Sequence, residues 1–502
     1  MIAIEITAAI DAAGTTTTLY VADDRLVTTG ADTPAHTAFD PLLLDPGSLG
    51  RNAFSDGRTG GATRLETGEI ILANIDGVLD GWLDYGFDGR ACVVRYGSAE
   101  SAYPSGWTEV FTGTIEAVEA STDKLILRLR DKQYLLDVPV CAATYGGTNS
   151  LPNGLDGTAD DLKGQRRPKA CGKVFNISPP CCNTSRLIYE TGVCNSVDAV
   201  YDRGLALTVG AVYASQSDME TTAPGAGEFR AWPPGGYFRL GSSPAGQITA
   251  DVTQGATAAN RTTAQIITQL ALAAGLTSGE INGTDVTDLD TANAAVVGIW
   301  LQDATPALTA MDRIAAGIGA WYGFDKSGTL RMGRLTAPGG TPTLTINDYE
   351  VLAMERQPAR DNSIPAWKYT IGHSKNHTPQ PSDLAGAVTA ARRAWLAQEY
   401  RTASTEAATV KTKHLLADEL TADGLLTSAT DAATESSRRL DLYKVRRDML
   451  DITVPLETAT ASLLDTVRVI YPRFGCASGK DFRLVGIRYE LSANRAVLTL
   501  WG

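Results

Sequence analysis

The sequence predicts a mainly β protein of several domains (β-barrels or sandwiches), with a small α/β insert domain. Its 502 residues exceed what one hydrophobic core organises, so more than one domain is expected. Short β-branched and alternating runs, bounded by turns rich in Gly and Asp, recur along most of the chain. Near residue 260 the apolar spacing changes from the period of a strand to that of an amphipathic helix.

Residues 1–150 are predicted to form an N-terminal β domain. The opening run MIAIEI places isoleucine at every second position, which indicates a strand. The clearest hairpin turns at residues 121–124, and Leu125, Leu127 and Leu129 then alternate mostly with arginines. One face of that strand is therefore apolar and the other mostly basic, as in a sheet with one solvated face.

Residues 151–250 are predicted to be a loop-rich β segment that carries four of the seven cysteines. Gly, Asp, Asn and Pro dominate residues 145–170, a composition typical of irregular loops. The cysteine-containing stretch follows, and short strands continue to about residue 251.

Residues 251–352 are predicted to form the α/β insert from two helices and a hairpin. Ile266 and Leu270 lie at helical spacing, and Gly275 is placed to end the first helix. The second helix is predicted to begin at Thr305 as N-cap, with Pro306 next, where a missing N–H costs nothing. A hairpin around the turn DKSG follows directly.

Residues 353–502 are predicted to form a C-terminal β domain with a helical insertion. One helix is expected over residues 383–401 and another over residues 433–443. The last 55 residues alternate again and predict a meander of strands that ends almost at Gly502.

The formal charge of −13 argues against a protein that grips nucleic acid, because such proteins need clustered Lys and Arg. The densest basic stretches, residues 164–169 and 437–447, are short and are predicted to be solvated faces. The sequence contains neither a stretch long and apolar enough for a membrane span nor a secretory signal. We therefore expect folding in a reducing cytoplasm, where thiols stay reduced unless a metal binds them.

Motifs that carry chemistry are scarce. The nucleotide-binding patterns GxGxxG and GxxxxGK[ST] are absent, as are GxSxG and HExxH. Only four histidines occur, and His373 and His377 flank a predicted strand end rather than a helix. The sequence therefore predicts no enzyme, although a Cys–His pair formed in space stays open as an alternative.

Cys171, Cys181, Cys182 and Cys194 follow the spacing C-x9-C-C-x11-C, which is neither a ferredoxin nor a zinc-ribbon pattern. A metal site, buried thiols and disulfides all stay open. Adjacent cysteines in a strand point to opposite faces, so Cys181 and Cys182 share a centre only if PPCC forms a turn. Otherwise Cys141 or Cys476 would have to supply a fourth ligand.

The sequence resembles the tail-tip, or baseplate hub, proteins of long-tailed siphophages and gene transfer agents. The similarity covers nearly the whole chain, and its motifs are structural rather than catalytic. It is carried by residues 76–97 (DGVLDGWLDYGFDGRACVVRYG), 110–140, 145–180, 196–213, 297–335, 462–475 and 479–491.

The resemblance implies a structural hub in the virion tail, assembled in the host cytoplasm as a homotrimer. Such a ring joins the hexameric distal tail protein to a large (megatron-like) tip or fibre protein, lies near the tape-measure protein, and lines the DNA ejection channel. It implies no sequence-specific nucleic-acid binding. An acidic lumen would let DNA slide without sticking.

The resemblance also implies a cofactor, because tail-tip proteins of the lambdoid type hold an iron–sulfur cluster through four cysteines. Carried over to this chain, the ligands of a [4Fe–4S] cluster would be Cys171, Cys181, Cys182 and Cys194. Two alternatives of other classes stay open: a tail-associated hydrolase of the cell envelope, and a soluble iron–sulfur redox protein.

Overall fold

A computed structural model of the chain describes residues 1–54, 64–357 and 364–502. Strands account for 37% of the residues and helices for 19%, so the mainly β prediction is confirmed. Within these ranges, no helix combines the length and the apolar character needed to cross a membrane.

The N-terminal part of the chain forms a seven-stranded sheet in the order β2-β1-β9-β10-β11-β8-β5. The strands in this part of the chain are β1 (Ile2–Ala9), β2 (Thr16–Ala22), β3 (Leu26–Val27), β4 (Ala38–Phe39), β5 (Leu43–Asp45), β6 (Ser48–Asn52), β7 (Arg64–Thr67), β8 (Glu69–Ala73), β9 (Ala91–Tyr96), β10 (Thr108–Ala120) and β11 (Lys124–Arg130). The predicted hairpin is confirmed, because Ala120 pairs with Leu125 across the turn. Leu125, Leu127 and Leu129 are buried, as their alternation predicts.

The segment that follows the long loop forms two five-stranded sheets, β16-β15-β20-β12-β21 and β13-β14-β19-β18-β17. Its elements are β12 (Lys169–Ile177), β13 (Cys181–Asn183), β14 (Ile188–Glu190), β15 (Ser196–Asp202), β16 (Leu205–Ala206), β17 (Thr208–Val209), α1 (Gln216–Thr221), β18 (Glu228–Trp232), β19 (Tyr237–Leu240) and β20 (Ile248–Thr253). Aromatic and β-branched side chains of both sheets, among them Val174, Phe229 and Phe238, form one apolar core.

The α/β insert packs helices on a short hairpin. Its elements are α2 (Thr263–Ala273), α3 (Gly283–Ala292), β21 (Gly298–Leu301), α4 (Ala307–Ile318), β22 (Ala320–Phe324) and β23 (Leu330–Arg334). Strand β21 pairs with β12, so the insert is joined to the preceding sheet by backbone hydrogen bonds. The predicted hairpin is confirmed, with Phe324 paired to Leu330.

The rest of the chain contains a three-stranded sheet, β27-β26-β28, and most of an eight-stranded sheet. Its elements are β24 (Leu344–Ile346), β25 (Ala353–Arg356), β26 (Ala366–His373), α5 (Ala390–Leu396), β27 (Arg401–Glu406), α6 (Val410–Lys413), β28 (Asp418–Asp423), α7 (Ala429–Tyr443), β29 (Met449–Pro455), β30 (Thr466–Val469), β31 (Lys480–Glu490) and β32 (Arg495–Trp501). The closing meander of strands is therefore confirmed.

The two ends of the chain form one β unit. Strand β6, from the N-terminal part, pairs antiparallel with β31, and β7 extends the same sheet. One apolar core then runs from Ile4 and Phe111 to Leu484 and Leu498. The parts of residues 1–150 and 353–502 nearest the two chain ends, predicted as separate domains, thus share a sheet and a core. Residues 366–443 instead form the three-stranded sheet and α7, which pack in the core of the α/β insert.

Helix α7 is fixed to the insert through a fully buried carboxylate. Glu435 forms ion pairs with Arg334 of β23 and with Arg438 and Arg439 of its own helix. Arg334 and Arg438 also donate to the carbonyl of Ile318, at the C-terminus of α4, where a helix carries partial negative charge. The excess positive charge of this Glu435 cluster is therefore met by helix carbonyls.

Two predictions are wrong: that residues 437–447 are a solvated face, and that Thr305 is the N-cap of the second helix of the insert. Residues 437–447 are not a solvated face throughout, because Arg438 and Arg439 turn inward to Glu435. Helix α4 has Pro306 as its N-cap residue, while the hydroxyl of Thr305 donates to Asp303 instead. In both cases a buried or local carboxylate offers a better hydrogen-bond partner than solvent or the helix end.

Candidate functional site

The four predicted ligands lie on or beside three consecutive strands, but in different apolar clusters. Cys171, on β12, lies in the core of the α/β insert. Cys194 lies in the core between the two five-stranded sheets, with Cys181 packed against the same core. Cys182 belongs to a third cluster, with Tyr145, Leu162 and Met219.

The adjacent pair adopts the extended arrangement rather than the turn. Cys181 and Cys182 are both part of β13, where Cys181 pairs with Tyr189 of β14. Their side chains therefore point to opposite faces, one toward the sheet core and one toward the cluster beneath the long loop. This geometry does not bring the two thiols to one centre.

The thiols are free, and burial raises their pKa values. All seven cysteines are free, and the Cys182 thiol donates to the carbonyl of Ile188 at 3.4 Å. Burial raises the pKa of Cys171, Cys181 and Cys194 to about 11 and that of Cys182 well above its usual value. Thiolate is the form that binds iron or zinc, so a metal held by these residues would have to displace the thiol protons.

As they are placed, the four cysteines do not fit a shared iron–sulfur cluster. Across the described ranges, no three or more His, Cys, Asp or Glu side chains are grouped so that they could hold a metal ion. Cys141, an alternative ligand, lies in the same core as Cys171, and its thiol donates to the carbonyl of Leu301 at 3.4 Å. Cys476, the other alternative, lies in the shared core of the two chain ends. The cluster stays a prediction for chemical analysis.

A polar cluster, rather than the thiols, fixes the long loop to the cysteine strands. Glu190 of β14 forms an ion pair of 2.8 Å with Arg167, which forms a second one of 2.7 Å with Asp156 in the loop. The same guanidinium lies 4.4 Å from the ring centroid of Tyr145 and donates to the hydroxyl of Tyr237. We call these five residues the Glu190 cluster.

The charged groups of the Glu190 cluster bind one another and so hold the loop on the strands. Burial raises the pKa of Glu190, while the hydroxyl of Tyr145 and the guanidinium of Arg167 act to lower it. The hydroxyl of Thr148 and the amide of Gly146 lower the pKa of Asp156. The Glu190 side chain is only 7% exposed, so its carboxylate is not open to a substrate.

The loop is also bonded directly to the cysteine strand. The Asn149 side chain donates to the carbonyl of Cys182 at 2.7 Å and accepts from the backbone N–H of Asp156. Sequence reasoning missed Arg167, Asp156 and this asparagine as partners. The density of Asp and Asn in residues 145–170 was the available signal, because these side chains bind nearby backbone groups in turns.

The histidines form no catalytic or metal arrangement in the described ranges. His373 ends β26, and its Nδ1 lies 2.9 Å from the hydroxyl of Ser374. Burial lowers the pKa of His377 to about 3, so this imidazole is neutral at pH 7. Its backbone N–H donates to the carbonyl of Phe175, which connects this segment to β12.

The solved structures that are similar to this chain are phage tail proteins and a gene transfer agent particle. No family model matches the sequence, and no curated protein matches it. Among solved structures, it is similar to the 43 kDa tail protein of prophage MuSo2 from Shewanella oneidensis, at 13% identity and a TM-score of 0.40. That match covers 93% of this chain and 96% of the other.

Two further solved structures show the same level of similarity. A tail protein from Neisseria meningitidis is 12% identical with a TM-score of 0.43, and the match covers 93% of each chain. A chain of the virion of a native gene transfer agent particle is 14% identical with a TM-score of 0.43, over 68% of this chain and 85% of that one. At these values, similarity alone does not transfer a function or a ligand.

Proposed function

We propose that this chain is a structural protein of a phage-type tail, located in the virion as the hub of the tail tip. In this role three copies form a ring that joins the distal tail protein to the tip or fibre protein. The ring lines the channel through which DNA leaves, and the chain has no catalytic role.

The observation that carries this proposal is the union of the two chain ends in one β unit. Pairing of β6 with β31 makes the first and last parts of the chain a single rigid body with a continuous core. Residues 110–140 and 479–491, which resemble tail-tip hub proteins, both belong to this unit. A load-bearing ring needs such a unit, since interdomain flexibility would break the path for DNA.

Exposed apolar side chains support contacts with other proteins. Ile75, Val78 and Leu83 are 81%, 60% and 51% exposed on the connection between β8 and β9. Neighbouring exposed apolar groups of this kind are typical of interaction surfaces. In the proposed assembly they contact another copy of the chain or a neighbouring tail protein.

Surface charge supports the channel role. The outward faces of β27 and β28 carry Glu406, Glu419 and Asp423, with Glu406 paired at 2.9 Å to Lys368 of β26, and the whole chain has a formal charge of −13. Acidic surfaces repel phosphates, so DNA would pass such a lumen without binding.

Deletion of the gene in a strain that produces the particles tests the proposal. We expect full heads without functional tails, with tails restored by the wild-type gene in trans. Restoration should fail with Ile75, Val78 and Leu83 all changed to Asp, provided that this variant folds, and should succeed with Leu415→Asp, an exposed apolar residue elsewhere. Normal, infectious tails in the deletion strain would contradict the proposal.

A further inference from the structure

A cavity of about 90 Å³ lies between the β22–β23 hairpin of the α/β insert and the β unit formed by the two chain ends. Phe324 and Lys326 line it from the hairpin, while Ser462 and Tyr489 line it from the C-terminal part. One water needs about 10–15 Å³ on the same measure. The cavity therefore has room for a group of several heavy atoms.

The side chain of Arg51 places a buried guanidinium in the lining of this cavity. Arg51, on β6, lines the cavity and is only 7% exposed. Its Nη1 donates to the carbonyl of Val110 at 3.2 Å, while its Nε is buried without a partner. Over the described ranges, none of the ion pairs involves Arg51. Burial lowers the pKa of Arg51, whereas nearby groups, among them Asp325 and Asp131, raise it. A buried guanidinium without a direct ion pair is costly.

The acidic side chains of the lining are already engaged. Asp325 accepts hydrogen bonds from the backbone of Ser327 and Thr329 in its own turn and lies 3.6 Å from Arg331. Asp465 accepts from the backbone N–H of Ser462 at 2.8 Å. The lining thus offers hydrogen-bonded carboxylates and an unpaired guanidinium.

Lys326 adds a further positive charge to the lining of the cavity. Lys326 lies in the hairpin turn beside Asp325 and lines the same cavity as Arg51. A planar guanidinium with free N–H groups and a mobile ammonium are the donor pair that proteins use for carboxylate, sulfate and phosphate groups.

We propose that this cavity is a binding site for a small oxyanion, with Arg51 as its main ligand and Lys326 as the second. The anion would neutralise the buried guanidinium. Because Lys326 belongs to the insert and Arg51 to the β unit, the bound anion would also fasten these two parts together.

Calorimetric titration of the full-length protein with inorganic phosphate, sulfate and acetate, at constant ionic strength, tests this site. We expect saturable binding of at least one anion, lost in Arg51→Gln. Lys326→Gln should weaken it about tenfold, equivalent to one charge-assisted hydrogen bond. The matched control is Lys413→Gln, which changes an exposed lysine of α6 and should leave binding unchanged.

The comparison of Lys326→Gln with Lys413→Gln keeps the test decisive even if Arg51→Gln fails to fold. Tighter binding of phosphate and sulfate than of acetate would support a tetrahedral ligand, and the reverse order a carboxylate ligand. Absence of saturable binding in the wild type, or equal binding by the two lysine variants, would overturn the proposal and leave a hydrated cavity.

Discussion

The thiols of Cys171 and Cys194 lie in separate cores, one within the α/β insert and the other between the two five-stranded sheets. Each is buried among apolar side chains, a role that free cysteine fills often. Loss of either sulfur should therefore remove local packing only. A metal shared between them would couple their effects.

Substitution of these two cysteines by alanine should have additive effects. We expect each of Cys171→Ala and Cys194→Ala to lower the free energy of unfolding by about 1 kcal/mol. The double variant should show the sum within about 0.5 kcal/mol, because the sites share no partner. Urea unfolding of anaerobically purified protein, with iron measured by mass spectrometry, checks this.

A second pair of cysteine-to-alanine substitutions, at Cys92 and Cys171, provides the control. Cys92, buried in the N-terminal core, combined with Cys171 should be additive whether or not a cluster exists. Two results together would support the iron–sulfur cluster: a brown, iron-containing protein, and a second substitution at Cys171 or Cys194 that hardly lowers the free energy of unfolding further.

Glu280 gives the protein a pH-dependent tie between the N-terminal part and the insert. Its carboxylate accepts from Lys132 at 2.8 Å and from the backbone and hydroxyl of Thr277. These bonds, the one from Lys132 foremost, lower the pKa of Glu280 from 4.5 to about 2. Because the folded-state pKa is depressed, the tie stabilises the protein above pH 4.5 and is lost as the pH falls toward 2.

Glu280→Gln should therefore lower the free energy of unfolding at pH 7 by about 1–2 kcal/mol, with solvent screening included. The difference from wild type should shrink between pH 4.5 and pH 2. Denaturant unfolding at several pH values measures it, with the exposed Glu419→Gln as control. A difference that stays constant with pH would show that the carboxylate is not the stabilising group.

At the scale of elements, the Glu435 cluster determines how α7 sits on the insert. Three guanidinium groups surround one buried carboxylate, and burial lowers the pKa of Arg334 to about 9 and of Arg438 to about 10. Loss of the carboxylate would leave these charges with backbone carbonyls and the hydroxyl of Tyr369 as their partners. The helix should then loosen from β23 and α4.

We expect Glu435→Gln to lower the free energy of unfolding by about 3–5 kcal/mol, as for other broken buried ion pairs. Asp441→Asn, which removes an exposed ion pair with Lys444 on the same helix, should cost less than about 0.5 kcal/mol. Thermal and urea unfolding of both variants provide the measurement. If the two substitutions lowered the free energy of unfolding equally, the Glu435 carboxylate would not be what holds α7 on the insert.

Elements with a local signal were predictable from the sequence. Gly275 ends α2 with φ of 108°, as its position after the apolar stripe indicates, and both hairpins turn at the predicted residues. Helix α3 was missed because Leu289 is its one buried side chain. Its start is fixed instead by the Asn282 cap and by an ion pair of Asp285 with Arg331.

Features that depend on distant contacts were not predictable. A helix was expected across residues 383–401, but only Ala390–Leu396 is helical, since the N–H of Ala385 donates to the Arg203 carbonyl. For Cys181 and Cys182 the sequence left both a strand and a turn open, and the structure has the strand, with a register shift between Cys181 and Asn183. The Glu190 cluster was not predictable, because its residues meet only after strands β14 and β19 and the long loop have packed.

At the scale of the whole molecule, the chain is one β unit made from its two ends, with two sheets, the α/β insert and a helical sheet placed between them. A pairing such as β6 with β31 leaves no trace in local sequence patterns, so the predicted boundaries at residues 150 and 353 separate parts that fold together. In the proposed hub role, this β unit would be the part that forms the ring.

The most direct test of the tail-hub account is immunogold labelling of purified particles with antibodies against this chain, viewed by negative-stain electron microscopy. The account predicts gold at the tail tip of intact particles, and none on particles from the deletion strain. Label confined to the capsid, or an absence of label on particles whose tails are complete, would contradict it.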